Sequence, residues 1–328
     1  MYSGRYRAID FPEEEIRLDI DGILPQGLIS GLFTHKQGGV LYGISALVQA
    51  QKGYVGCLKF HEANTPSEEV DIQVRLLSTT AVEIEFLTAN FPRRQYEKIS
   101  EKFGFITFDL WNEVGLTPIR EYVPDRRYDE KVPTNNLSLQ YPWEQAGYHV
   151  DIREHHDLII EGRNPNQRWH ESDLVKHLNN ITETTEPHGH FRIQVLNTRK
   201  HEIPGLRGLV FETSPGMKSV AIFSQEIAEG VPETESKPNQ WINRMIFFVT
   251  VHELGHIMGL AHPWENLGAN QLFGLSPDRS TFSFMNYPWS YTGGSKKFFS
   301  NFEYRFTNHE IAFLRHGPHS YHGALKQI

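Results

Sequence analysis

Apolar and polar residues alternate through much of the first third of the chain. Val70, Ile72, Val74 and Leu76 are separated by polar residues, as are Val82, Ile84 and Phe86 beyond the break Ser78-Thr79-Thr80. A period of two puts each apolar set on one face of a strand, and the polar break between them predicts a hairpin. Val40 to Leu47 and Tyr54 to Phe60 are further strand candidates. The first ~120 residues therefore read as a small β-rich domain, with a sandwich as the economical arrangement.

The pattern then changes. Between Tyr122 and Pro142, polar and charged residues surround Pro124, Pro133 and Pro142, the composition of an exposed connection, and a boundary is expected near residue 140. Beyond it, Tyr148 to Ile152 reads as a strand. Leu174, Val175, Leu178 and Ile181 share one face of a helix starting near Ser172, and Phe191 to Leu196, Leu206 to Phe211 and Ser219 to Phe223 are strand-like again. Pro238 and Asn239 open a long helix in which Trp241, Ile242, Met245, Ile246 and Val249 recur at helical spacing. Near the end, Thr307 and Glu310 form a capping box before Ile311, Phe313 and Leu314, predicting a last helix that packs a C-terminal lobe. Two domains are expected, 1–140 and 141–328.

The long helix runs into HELGHIMGLAH at residues 252–262. His252 and His256 stand one turn apart on one helix face and can offer two imidazole nitrogens to one ion about 2 Å away. Glu253 projects beside such an ion, where a carboxylate can take a proton from bound water and later hand it to a leaving amine. Gly259 can adopt the left-handed conformation that ends a helix, letting the chain turn so that His262 approaches from a second direction. Three ligands leave a fourth position for water, the arrangement of a catalytic rather than a structural zinc.

This pattern resembles the metzincin clan of zinc metalloproteases, whose signature HExxHxxGxxH it matches without departure. Ser283-Phe284-Met285-Asn286-Tyr287 looks like the clan's Met-turn, which makes Met285 the hydrophobic floor beneath the metal. In the astacin-like and serralysin-like branches a tyrosine two positions after that methionine contacts the zinc or swings to stabilise the oxyanion, and Tyr287 occupies the matching place; Pro263 is serralysin-like as well. The resemblance covers about residues 145–328. It implies an α+β fold with a metzincin-type catalytic domain: a twisted, mostly parallel sheet, an active-site helix and a C-terminal helical lobe. It also implies one catalytic zinc ion and a peptide lying along an edge strand, for which Met217 to Ser224 is the candidate. No glycine-and-aspartate nonapeptide repeats follow the Met-turn, so calcium is not indicated. No cysteine or aspartate switch precedes the motif, so residues 1–140 differ from familiar inhibitory propeptides; a propeptide and a permanent binding module both remain open.

Composition narrows the partners. With 39% hydrophobic and 22% charged residues the chain has the make-up of an ordinary globular protein, and its formal charge of -8 gives no basic footprint for nucleic acid or an anionic membrane surface. A substrate with exposed backbone fits better. No apolar run reaches the ~20 residues of a membrane-spanning helix. The first residues lack the apolar core of a secretory signal, whereas the resemblance implies secretion; compartment and oligomeric state stay open. Cys57 cannot form an internal disulfide and reads as a buried strand residue. His155, His156, His316, His319 and His322 lack a framework of ligand spacing and are expected to be surface histidines. The expected function is a zinc-dependent endopeptidase with catalytic Glu253 and Tyr287, ligands His252, His256 and His262, and structural Gly259 and Met285. The alternative is a non-catalytic zinc protein that binds peptides or partners.

Overall fold

The computed structural model describes residues 1–34, 40–61, 69–88, 91–116, 119–124, 131, 136–158, 168–178, 190–212 and 218–317. Pro133, Ile181, Met217, His319 and His322 lie outside them. The chain divides into two compact units, Met1–Gly104 with Asn308–Ile328, and Phe105–Thr307. The division expected near residue 140 falls inside the second.

The first unit is built on eight strands: β1 (Gly4–Ala8), β2 (Glu15–Asp19), β3 (Gly27–Thr34), β4 (Val40–Ala50), β5 (Gly53–His61), β6 (Glu69–Ser78), β7 (Ala81–Phe86) and β8 (Arg94–Ser100). Each pairs antiparallel with the next, and β8 returns to β1 with Ala8 opposite Tyr96, closing a barrel rather than forming a sandwich. The alternating pattern is common to both architectures. What decides between them is the β1–β8 pairing, which removes the sheet edges a sandwich would keep.

An eight-stranded barrel has an interior that side chains just fill. Ile16, Leu18, Ile29, Leu58, Val70, Ile72, Val74, Val82 and Ile84 fill this one, together with Phe60 and Phe86, which stack on either side of Phe91 at 5.1 Å. Cys57 is partly exposed rather than buried, with Sγ 4.0 Å from Glu69 Oε2.

The second unit contains β9 (Gly104–Glu113), β10 (Glu121–Tyr122), β11 (Leu137–Ser138), α1 (Tyr141–Gln145), β12 (Tyr148–Leu158), α2 (Glu171–Leu178), β13 (His190–Thr198), β14 (Gly208–Glu212), β15 (Lys218–Phe223), α3 (Ser224–Glu229), α4 (Pro238–Ile257), α5 (Gly268–Phe273) and α6 (Gly294–Asn301). Five strands form one sheet in the order β12-β9-β13-β15-β14. β13 runs parallel to β9 and to β15, while β14 runs antiparallel to β15 at the edge. On one face α2 packs Leu174 and Leu178 against Leu196, Phe211, Ala221 and Phe223; α4 lies against β14 and β15.

This is not the expected metzincin-type domain. A mixed sheet with few helices replaces a mostly parallel one, and its second strand, β9, comes from well before the expected boundary. The last helix, α7 (Asn308–His316), belongs to the barrel unit instead of a C-terminal lobe, with Arg315 Nη1 donating to Asp19 at 2.7 Å. Apolar periodicity reports how an element is buried and leaves strand direction and partner to the connections. The described ends of the stretch read as an exposed connection are anchored: Tyr122 is fully buried against Phe247 and Tyr304, and β10 pairs with β11. His316, expected at the surface, is also fully buried.

Candidate metal centre

α4 is apolar almost all round, as a helix enclosed by its unit must be. Met245, Phe247, Phe248, Val251 and Leu254 are buried, and Phe248 meets Phe284, Phe298, Phe299 and Phe302 with ring centroids 5.5 to 5.8 Å away. This bed holds the motif end of the helix. Gly259, at φ 82°, carries the left-handed residue of a Schellman cap: its N–H donates to His256 O at 3.0 Å and that of Leu260 to Gly255 O at 2.9 Å. The chain then doubles back and delivers His262.

His252, His256 and His262 come together with one nitrogen of each within 4.8 Å of the others, and they could hold a metal ion. Their outer nitrogens are oriented by the fold. Nδ1 of His252 lies 2.8 Å from Phe284 O, and Nδ1 of His256 lies 2.9 Å from Leu260 O. Each ring therefore donates from Nδ1 and leaves Nε2 as an acceptor, yet these two Nε2 atoms face each other at 3.1 Å. A metal ion placed between them would satisfy both. His262 Nε2 is buried with no hydrogen-bond partner among the described residues. His262 Nδ1 is 3.1 Å from Glu265 Oε2, within ion-pair distance but outside hydrogen-bond geometry; the firm link between the two residues is the His262 N–H, which donates to the same oxygen at 2.9 Å. Three inward nitrogens, one an orphan, fit a metal-binding role.

Burial, reinforced by the neighbouring rings, drives the pKa of His252 down to about 3 and lowers that of His256, so both imidazoles are neutral, as ligands must be. Burial pushes Glu253 up to about 7, and its carboxylate makes no hydrogen bond among the described residues. Tyr287 is raised by burial and by the charges of Glu253 and Glu265, which keeps its phenol protonated. The Tyr287 ring lies 4.8 Å from that of His262 and 5.4 Å from that of His252.

Met285 is fully buried in a locked turn. Ser283 Oγ accepts its N–H at 3.0 Å, and Asn286 Nδ2 donates to Thr281 O at 2.7 Å and Arg279 O at 2.9 Å. Its sulfur reaches under α4 because residue 255 is glycine: a Cβ there would stand 2.4 Å from Sδ.

No family model, curated protein or solved structure matches the chain.

Further residues surround the motif in the fold. Trp264 stacks on His262 at 4.5 Å and Trp289 on Tyr287 at 4.8 Å, giving the cleft an aromatic wall. Gly208 on β14 faces Glu253, where a Cβ would fall 2.5 Å from Oε1. β14, not the segment from Met217 to Ser224, is the edge strand beside the site, since β15 is paired on both sides. Glu265, three residues after the last histidine, was the one neighbour open to recognition, because carboxylates commonly orient metal-binding imidazoles.

His155, expected to be a bare surface histidine, has Nε2 2.8 Å from Asp109 Oδ1 and stacks on Trp111 at 4.1 Å. The side chain of His156 lies outside the described residues. No described helix is long and apolar enough to cross a membrane.

Proposed function

We propose that the chain is a zinc-dependent endopeptidase, metzincin-like in its site motif and acting on proteins or peptides. The observation that carries this reading is three imidazoles converging beside Glu253, a carboxylate left without a hydrogen bond. An all-imidazole set with an open position suits zinc better than calcium or magnesium, which take oxygen ligands. Bound there, zinc would supply Lewis-acid polarisation of water and of the scissile carbonyl.

The chain's own groups account for the rest. The outer edge of β14 offers backbone groups to an extended peptide, and Gly208 lets that peptide approach Glu253 closely. Glu253 takes a proton from the attacking water and passes it to the departing amine. The hydroxyl of Tyr287, held protonated, donates to the oxygen on which negative charge develops. Trp264 and the Met285 turn brace His262 and α4, fixing the geometry before substrate arrives.

The test is cleavage of a denatured protein by the zinc-loaded chain, by its Glu253→Ala variant and by the wild type in chelator. Cleavage only by the untreated wild type is expected; equal cleavage by Glu253→Ala would sink the proposal, and zinc binding without any cleavage would favour a non-catalytic peptide-binding role.

A further inference from the structure

Arg207 immediately precedes β14 and is tied to β15 by its carbonyl, which accepts the N–H of Phe223 at 2.9 Å. Its guanidinium carbon lies 4.7 Å from the centre of the Trp289 ring and 5.9 Å from that of Trp241. Gly230 clears space on another side, since a Cβ there would stand 3.0 Å from Nη2. The side chain is half-buried, and burial lowers its pKa.

No described carboxylate lies within ion-pair distance of it, and its guanidinium makes no hydrogen bond among the described residues. Glu226, whose charge acts on it from beyond ion-pair distance, accepts the Gly205 N–H on Oε1 at 2.6 Å, while its Oε2 is buried 3.6 Å from Arg168 without a hydrogen bond among the described residues. The other cation on this wall, Arg279 over Trp264, is exposed and can be hydrated. Arg207 is instead a positioned fork of donors whose charge is only partly solvated.

A guanidinium in this state is matched to an oxyanion bound in a bidentate manner, and the oxyanion that a peptide carries is a carboxylate. Its address is specific. The next residue, Gly208, is the one against which Glu253 rests, and Trp289, on which the guanidinium lies, stacks in turn on Tyr287. We propose that Arg207 is a specificity residue that binds a carboxylate of the peptide lying along β14, selecting substrates with an acidic group close to the scissile bond. This rests on the peptidase reading above. The carboxylate has two sources, an Asp or Glu side chain or the substrate's C-terminus.

The experiment uses a peptide series in which Asp or Glu is exchanged for Asn or Gln at each position around the cut, every peptide being made with a free and an amidated C-terminus. For the zinc-loaded wild type, kcat/KM for the best acidic peptide is expected to exceed that of its amide isostere by roughly 10- to 100-fold, the range of a hydrogen-bonded charge. In Arg207→Met the ratio falls toward one, and in Arg207→Lys it is intermediate. A preference for Asp or Glu over its amide isostere assigns the site to a side chain, and a preference only for the free over the amidated C-terminus assigns it to the C-terminus. Equal cleavage of acidic and amide peptides by the wild type overturns the proposal, as does an acidic preference that persists in Arg207→Met.

Binding of the same fluorescent peptides to zinc-loaded Glu253→Ala separates the two readings. Acid-selective binding that depends on Arg207, with no cleavage by the wild type, would retain the carboxylate site and remove the peptidase. Non-selective binding alongside wild-type cleavage would do the reverse.

Discussion

Gly208 stands so close to Glu253 that a Cβ added to it would lie 2.5 Å from Oε1 and 2.6 Å from Cγ of the glutamate. The position has no positive φ, so alanine brings no backbone strain there and its closest contacts are with this glutamate. Gly208→Ala should push the carboxylate from its station without disturbing the three histidines. A misplacement of about 1 Å costs on the order of 100-fold in rate, so kcat should fall by about that factor while zinc affinity and melting temperature stay near wild type. Loss of zinc together with loss of rate would show that the contact supports the fold rather than the base.

His262 depends on Glu265 for its approach, since Oε2 of the glutamate accepts the backbone N–H of the ligand at 2.9 Å and lies 3.1 Å from Nδ1. Burial opposes ionisation of Glu265, but the His262 N–H and ring outweigh it and hold the carboxyl below its ordinary range. Removing such an outer partner typically weakens metal binding 10- to 100-fold, and Glu265→Ala should do so in a competition assay with a zinc chelator. Glu265→Gln keeps an acceptor for the N–H and should fall between the two. Unchanged affinity in Glu265→Ala would show that the Gly259 turn alone positions His262.

The residues that announced themselves in the sequence are those whose chemistry is local. His252, Glu253 and His256 share one helix, Gly259 ends it, and the spacing alone brings His262 within reach. Gly208 and Gly255 have no such signature, because their importance is a distance to Glu253 and to Met285 rather than a residue type. Arg207 has no signature either, because the two tryptophans that meet it come from separate segments. The barrel was hidden for a related reason: alternation marks the strands, but closure rests on one pairing between β1 and β8, far apart in sequence. His316 shows the same limit. Its burial follows from partners on β2 and β3, nearly the whole chain away.

That histidine gives the barrel unit an acid sensitivity. Nδ1 of His316 is 2.9 Å from Ser30 Oγ, and Nε2 is 3.9 Å from Asp19 Oδ2, too far for a hydrogen bond. Burial lowers the pKa of His316 despite the pull of Asp19, so the unfolded chain, titrating near 6.5, takes up a proton that the folded chain refuses. Stability from this group is present above about pH 6.5 and is lost as the pH falls below it, by at most about 1.4 kcal/mol per pH unit. Asp19 acts in the same direction at lower pH. Burial opposes its charge, neighbouring groups outweigh burial, the Arg315 guanidinium bonded to it at 2.7 Å among them, and its stabilisation is lost below about pH 4, where the unfolded carboxyl protonates. Chemical denaturation of the wild type should weaken steadily between pH 6.5 and 4.5, and His316→Gln should flatten that slope. An unaltered slope in the variant would assign the acid sensitivity to other groups.

Tyr287 makes the sharpest distinction between a site that binds and a site that reacts. Its ring is held between Trp264, centroid to centroid at 5.0 Å, and the stacked Trp289, and its hydroxyl makes no hydrogen bond among the described residues. A phenol fixed by its ring and free at its oxygen does little for the resting state. Its pKa is raised by burial first and then by the charges of Glu253 and Glu265, so the proton it needs to donate is retained across neutral pH. Tyr287→Phe keeps both aromatic contacts and removes only the donor. Loss of one oxyanion donor costs about 100- to 1000-fold in kcat, and the effect should fall on kcat with zinc affinity unchanged and KM little altered. A rise in KM at constant kcat would instead make Tyr287 a ground-state contact, and the oxyanion would then have to be stabilised without it.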